Sequence, residues 1–216
     1  MINTIKIKNS RNTKNTINTI VLDIGQVLAG FIWEEYIKGL GYDEKTNDRL
    51  ANATVLNEIW DEMDRSALSY EELIEQCCMV DPCISNEIHE FFEHIEDIVV
   101  EYDYASGFVK GLKEKGYRVY ILSNYGAYTF EYAKKNFEFL KYVDGGVISY
   151  EVKQIKPEPE IYQTLLDKYR IEPTEAVFLD DRLINLKAAE KFGMHTIHFT
   201  DLDGALKKMS EMGIDI

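Results

Sequence analysis

A chain of 216 residues fits one domain, or one domain carrying a modest insertion, since domains usually run roughly 100–200 residues. Apolar residues make up 45% and charged residues 29%, a globular mixture rather than a disordered one. Against 38 Asp and Glu stand 24 Lys and Arg, and the net charge of −14 repels phosphate backbones and anionic lipid, which argues against nucleic-acid or membrane-surface binding. An anionic small molecule can still bind, but only where the site supplies local positive charge or a bound cation.

Residues 1–18 are basic and rich in Asn and Thr and lack the continuous apolar stretch of a signal peptide. They are expected to form a flexible extension, with room for a short first strand. No apolar run approaches the roughly 18 residues of a membrane span, so a soluble, cytoplasmic protein is expected. Thr19–Leu22 is a continuous apolar run of the kind that suits a parallel strand buried on both faces.

From residue 33 to 101 the patterning is helical: Trp33–Leu40, Thr46–Met63, Ser69–Met79 and Ile84–Val99, with Ser69 and Glu72 spaced as a capping box and no convincing strand. Cys77, Cys78 and Cys83 are odd in number and crowded together, which reads as reduced thiols rather than a disulfide framework. A zinc reading of Cys78, Cys83, His89 and His94 lacks a CxxC pair, and the two histidines, five apart, do not share a helical face.

Beyond residue 101 strands and helices alternate. A helix over Tyr104–Lys115 stops at Gly116, a strand comes next over Tyr117–Leu122, and a helix over Pro157–Tyr169 opens on proline. A strand over Ala176–Leu179, a helix over Leu183–Phe192 stopped by Gly193, and a strand over His195–Phe199 complete the series. This order predicts an α/β fold, a Rossmann-like doubly wound parallel sheet with an inserted helical cap. The expected division is a core of residues 19–32 and 102–216 with a cap of residues 33–101.

Ligands of open α/β sheets bind beyond the carboxyl ends of the strands, which directs attention to the residues just after each strand. Asp23 and Gly25 come after the first, Ser123 and Asn124 after the second, and Asp180 and Asp181 after the third major strand, with Asn185 just beyond; Lys156 precedes a helix. Singly, each has a structural role available: a turn, a helix cap or a solvated side chain. Together they suit phosphoryl chemistry, with carboxylates for a hard divalent cation and a hydroxyl, backbone amides and an ammonium for phosphate oxygens. Trp33, Glu34 and Tyr36 stand close enough to the first motif to reach the mouth of such a site, and Trp60, Asp61, Asp64 and Arg65 end a cap helix.

The segments Ile20-Val21-Leu22-Asp23-Ile24-Gly25, Tyr120-Ile121-Leu122-Ser123-Asn124, Lys156-Pro157-Glu158-Pro159 and Val177-Phe178-Leu179-Asp180-Asp181 stand in the order of four motifs of the haloacid dehalogenase superfamily, which this chain resembles over residues 19–200. Their wording is similar to the branch that includes bacterial glucose-1-phosphate phosphatase and the phosphatase domain of soluble epoxide hydrolase. The resemblance implies Asp23 as nucleophile through an aspartyl-phosphate, and Mg²⁺ held by Asp23, the Gly25 carbonyl and Asp181. It further implies Asp180 and Asn185 as supports of that ion's surroundings, Ser123 and Asn124 as phosphate binders, and Lys156 as the cation between nucleophile and phosphate. The substrate implied is a small phosphorylated metabolite such as a sugar phosphate.

Gly25 departs from the family pattern, since most phosphatases of the superfamily carry there an Asp that acts as general acid and base. That departure leaves two alternatives, a metal-independent 2-haloacid dehalogenase and a non-catalytic phosphate- or partner-binding protein. The oligomeric state is left open by the sequence.

Overall fold

The computed structural model describes residues 16–216. The chain forms β1 (Thr19–Leu22), turns tightly, and forms β2 (Ala29–Phe31). Five helices come next: α1 (Trp33–Gly39), α2 (Glu44–Ala53), α3 (Ile59–Arg65), α4 (Tyr70–Val80) and α5 (Ser85–Glu93). The strand β3 (Val99–Glu101) returns the chain to α6 (Ala105–Glu114), β4 (Arg118–Ser123), α7 (Ala127–Asn136), β5 (Gly145–Ile148) and the single turn α8 (Ser149–Val152). It ends with α9 (Pro159–Tyr169), β6 (Ala176–Asp180), α10 (Leu183–Glu190), β7 (His195–His198) and α11 (Leu202–Glu211).

Five strands pair in the order β5-β4-β1-β6-β7, all parallel, with β1 at the centre. Alternation along β1 divides the sheet's two faces. Ile20 and Leu22 pack with Phe108 and Leu112 of α6, Phe130 of α7 and Met209 of α11. Val21 points the other way, into a cluster with Ile161 and Leu165 of α9 and Leu186 and Ala189 of α10. A third cluster, built on Ile37, Leu50, Leu73, Ile88, Phe91 and Phe92, lies within the helices inserted between β2 and β3. The α/β sheet with an inserted helical layer is therefore the architecture that the alternating pattern predicts.

Several elements differ from the sequence expectation, each for a local reason. The helix expected over Thr46–Met63 is two helices. At Thr54 the backbone leaves helical geometry (φ −123°, ψ −99°) while its hydroxyl donates back to the Leu50 carbonyl at 2.6 Å, and the Asn57 side chain accepts from the Ile59 amide at 3.1 Å to start α3. The helix expected to reach Val99 stops at Glu93, a short 3₁₀ turn succeeds it, and β3 pairs antiparallel with β2, so a strand does lie within the stretch expected to have none. β5 is concealed by Gly145 and Gly146, α9 starts at Pro159 rather than Pro157, and α7, which no glycine or proline closes, and α11, which Gly213 (φ 80°) follows directly after its cap Met212, lie outside the expected elements. The capping box is present, with both of its Ser69–Glu72 bonds made.

The expected extension covers residues 1–18, of which 1–15 lie outside the described residues. Ile17 is buried, and Asn18 donates its amide to the Glu175 carbonyl and accepts from the Arg118 amide, both at 3.0 Å, so packing begins before β1. Among the described residues no helix is long and apolar enough to cross a membrane.

The inserted layer is fastened to the sheet through the end of α3. Arg65 forms a forked ion pair with Glu158, just before α9. The Ser149 hydroxyl donates to the Asp64 carbonyl at 2.6 Å, and the Ala127 amide donates to the Ser66 hydroxyl at 3.0 Å. At Gly126 the loop after β4 comes so close that a Cβ there would lie 3.0 Å from the Met63 carbonyl oxygen.

Gly146 in β5 is constrained more tightly, since a Cβ would sit 2.8 Å from the Ile121 carbonyl oxygen of β4. Gly146→Ala is expected to destabilise the protein by about 1–3 kcal/mol through overpacking against backbone that cannot yield. A lowered urea midpoint at unchanged slope is the expected reading.

Candidate active site

Because β1, β4 and β6 run parallel and in register, their carboxyl ends finish side by side, with Leu22 opposite Ile121 and Leu179. Asp23 therefore emerges between the last residues of β4 and β6, Ser123 and Asp180, and its amide extends the ladder to the Leu179 carbonyl at 3.0 Å. Asp23, Ser123, Lys156, Asp180 and Asn185 are all buried. Sequence reasoning named these five, and the fold gathers them at one sheet edge.

Lys156 is the hub. Its ammonium lies 2.8 Å from Asp23 Oδ1 and 2.7 Å from Asp180 Oδ2, and 5.4 Å from the centre of the Phe178 ring. Burial alone would pull this lysine's pKa down, yet the charges of Asp180 and Asp23 outweigh it and leave the ammonium held above its ordinary value. Asn124, read from sequence as a phosphate binder, also positions this lysine: its Oδ1 accepts from the Lys156 amide at 2.7 Å and its Nδ2 donates to the Lys156 carbonyl at 3.0 Å. The peptide bond between Lys156 and Pro157 is cis.

Burial dominates at Asp23 and pushes its carboxyl above the ordinary carboxylate range. The charge of Lys156 works against this, Asp180 reinforces it, and hydrogen bonding from Lys156 and Ser123 again favours the charged form. Asp181 is also raised, first by burial and then by Asp180. Three carboxylates so close together favour a compensating positive charge beyond that of Lys156.

The donor set fits a hard divalent cation. Carboxylate oxygens of Asp23, Asp180 and Asp181 lie within 4.8 Å of one another, the only such cluster of His, Cys, Asp and Glu among the described residues. The Asp180 oxygens are already occupied by Lys156, by the Arg182 amide at 2.8 Å and by Asn185 Nδ2 at 3.0 Å. Asp23 and Asp181 are freer to face an ion. Asn185 Oδ1 is buried with no hydrogen-bond partner, an acceptor whose desolvation a cation or its water would offset.

Gly25 lies beside Asp23 in the turn before β2, and a Cβ built on it meets nothing within 4 Å. Space for a larger side chain therefore exists, and its lack of one is not a packing requirement. The next residue, Gln26, takes a left-handed conformation (φ 57°), fixed by its amide bond to the Ala29 carbonyl at 2.7 Å and by the Tyr102 hydroxyl donating to its Oε1 at 2.9 Å.

The site opens into a cavity of about 460 Å³ between the sheet edge and the inserted helices. Phe31, Val55, Leu56, Trp60 and Met63 give it an apolar wall, while Asp61 and Asp64 of α3 face it with carboxyls. Trp33 and Glu34, placed at the mouth by sequence reasoning, instead line a separate surface pocket, and Tyr36 packs edge-on against Phe91 while donating to the Phe91 carbonyl. α1 turns those side chains away from β1. Arg65 serves the tether to Glu158 rather than the cavity. Cys77 is buried, Cys78 half-buried and Cys83 exposed, and all three are free thiols.

Mouse bifunctional epoxide hydrolase 2 is 37% identical over 105 residues, covering 47% of this chain and 19% of that protein, so the chain spans only a small part of that relative's length. A sesquiterpene phosphatase of Aspergillus oryzae is 24% identical over 186 residues, 86% of this chain and 91% of that one. Among solved structures, a HAD family enzyme of Bacteroides thetaiotaomicron in complex with magnesium and inorganic phosphate superposes with a TM-score of 0.65 at 25% identity, covering 84% of this chain and 93% of that one. The family model for haloacid dehalogenase-like hydrolases matches residues 18–193, a span that takes in the central strands, the inserted helices and the carboxylate cluster, and the chain belongs to that family.

Proposed function

We propose that the protein is a Mg²⁺-dependent phosphatase that hydrolyses a small phosphate ester through an aspartyl-phosphate on Asp23. One observation carries this reading: a buried carboxylate, ion-paired to a buried ammonium, shares its sheet edge with two further carboxylates and a buried hydroxyl. The phosphatase relative and the magnesium- and phosphate-bound neighbour support it.

In this reading the Asp23 carboxylate attacks phosphorus, with Lys156 neutralising charge shared between the carboxylate and the phosphoryl oxygens. Ser123, together with the loop at Asn124, binds and orients those oxygens. Asp23, the Gly25 carbonyl and Asp181 hold the cation, with Asp180 and Asn185 ordering its surroundings. When bound, that cation supplies charge stabilisation at the phosphoryl group. The apolar wall of Phe31, Val55, Leu56, Trp60 and Met63 favours a substrate whose organic portion is largely apolar.

Gly25 is equally compatible with a metal-independent 2-haloacid dehalogenase or with a non-catalytic phosphate- or partner-binding chain. A metal-independent dehalogenase has no use for a cation site of three clustered carboxylates, and a non-catalytic chain would show no turnover of p-nitrophenyl phosphate that disappears with EDTA.

Asp23→Asn is expected to reduce turnover of p-nitrophenyl phosphate by at least about a thousandfold, as loss of a nucleophile typically does. EDTA should abolish the parent's turnover and added Mg²⁺ restore it; turnover indifferent to EDTA would remove the metal-dependent reading. Lys156→Met leaves Asp180 buried without its cation, and is expected to cost about 3–5 kcal/mol of stability in urea unfolding.

A further inference from the structure

We propose that Asp64 of the inserted helix α3 is the general acid and base that Gly25 cannot be. This assignment rests on the phosphatase reading and adds a residue to it. The reaction needs a proton for the departing ester oxygen and an acceptor for the proton of the attacking water. Gly25 has no side chain to offer either, although space for one is present.

Asp64 lines the same cavity as Asp23, Ser123 and Lys156, and it comes from the inserted helices rather than from the sheet edge. Its carboxyl makes no hydrogen bond or ion pair with any described residue, so it is free to engage a ligand. The backbone that carries it is held firmly. Ser149 Oγ donates to the Asp64 carbonyl at 2.6 Å and accepts from the Tyr125 amide at 2.8 Å, tying α3 to the loop just after Ser123. On the C-terminal side, Arg65 is paired with Glu158 and the Ser66 hydroxyl with the Ala127 amide. These bonds fix the backbone that carries the Asp64 side chain relative to the sheet edge, so the carboxyl has only its own rotamers to search when a ligand arrives.

The charges around Asp64 favour a carrier that holds a proton near neutrality. Burial raises its carboxyl most, the carboxylates of Asp61 and Asp23 add to this, and Lys156 and Arg182 only partly oppose them, so its pKa is pushed up to about 8. The phenol of buried Tyr125 is a further titratable neighbour, itself pushed upward by burial and then by Asp64, and the carboxyls of Glu58 and Asp181 also line the cavity. Asp61, the other carboxyl of α3 that lines the cavity, is exposed to solvent.

In the first half-reaction an Asp23 oxygen bonds to phosphorus, the bond from phosphorus to the ester oxygen breaks, and that oxygen takes the Asp64 proton and leaves as the alcohol. In the second, the Asp64 carboxylate takes a proton from water as its oxygen bonds to phosphorus. The bond to Asp23 breaks, its electron pair returns to the carboxylate, and inorganic phosphate departs with Asp64 protonated again.

The test is Asp64→Asn, assayed on benzyl phosphate, whose alkoxide needs a proton, and on p-nitrophenyl phosphate, whose phenolate leaves without one. Benzyl phosphate turnover is expected to fall about 10²–10⁴-fold. With p-nitrophenyl phosphate a rapid burst of nitrophenol should persist at nearly the parent's rate, then give way to slow turnover as aspartyl-phosphate accumulates. The parent's kcat/KM for benzyl phosphate should decline at alkaline pH as Asp64 loses its proton, and the Asn variant should lack that decline. Asp64→Glu, which keeps the acid on a longer arm, should recover part of the benzyl phosphate rate.

Benzyl phosphate turnover within about threefold of the parent would overturn the assignment, as would a burst lost in the same proportion as benzyl phosphate turnover. Asn is isosteric with the protonated carboxyl, so Asp64→Asn should unfold at the parent's temperature. Should it not fold, a folded Asp64→Glu variant with an unchanged alkaline limb and unchanged leaving-group dependence would equally overturn it. A parent inactive on both esters would instead retire the phosphatase reading, whereas an active parent, an inactive Asp23→Asn variant and an unimpaired Asp64→Asn variant would retire Asp64 alone.

Discussion

The ammonium of Lys156, buried between the carboxylates of Asp23 and Asp180, is the interaction on which the rest of the sheet edge depends. Taking three ionic groups out of water costs several kcal/mol each, and only close pairing with further hydrogen bonds makes the arrangement tolerable. The chain meets that condition through the neighbours that surround the three groups. Asn124 clamps the backbone on both sides of the Lys156 side chain, the Arg182 amide and Asn185 occupy the oxygens of Asp180, and Phe178 offers its ring face to the ammonium. A protein whose net charge is −14 thus keeps a fixed positive charge buried at this sheet edge.

Much of this was visible in the sequence because it depends on position along strands. Apolar runs mark Thr19–Leu22, Tyr117–Leu122 and Ala176–Leu179 as buried strands, and a parallel sheet brings the residues just after them to one edge, so Asp23, Ser123 and Asp180 could be grouped from the sequence alone. Lys156 was found by motif order rather than by periodicity. The bond pattern of Asn124 was not legible, since it depends on a loop more than thirty residues away folding back to within hydrogen-bond distance.

The elements that the sequence hid have a common physical cause. β5 reads as a loop because two of its four residues are glycine, although close approach to β4 is what requires Gly146. β2 and β3 are too short to show alternation, and each is stabilised by the other across the whole insertion. Thr54 ends α2 through a single side-chain bond to the backbone within an otherwise helical pattern. Trp33 and Tyr36 were drawn toward the site by their nearness to Asp23 in sequence, but the direction in which α1 leaves β2 sends them elsewhere. Asp64 carries no motif, and its importance arises only from the tertiary contacts that set α3 over the sheet edge.

The fastening of α3 also decides where the cavity meets solvent. Ser149, Glu158 and Ala127 grip Asp64, Arg65 and Ser66 from the sheet side, so that flank of the chamber is shut by bonds between distant parts of the chain. At the other end of α3 the short turn after Thr54 leaves Leu56 59% exposed while still lining the chamber. The rim of the chamber at that end therefore includes an apolar side chain carried on a short turn, and a part of a bound molecule that reaches past it lies against Leu56.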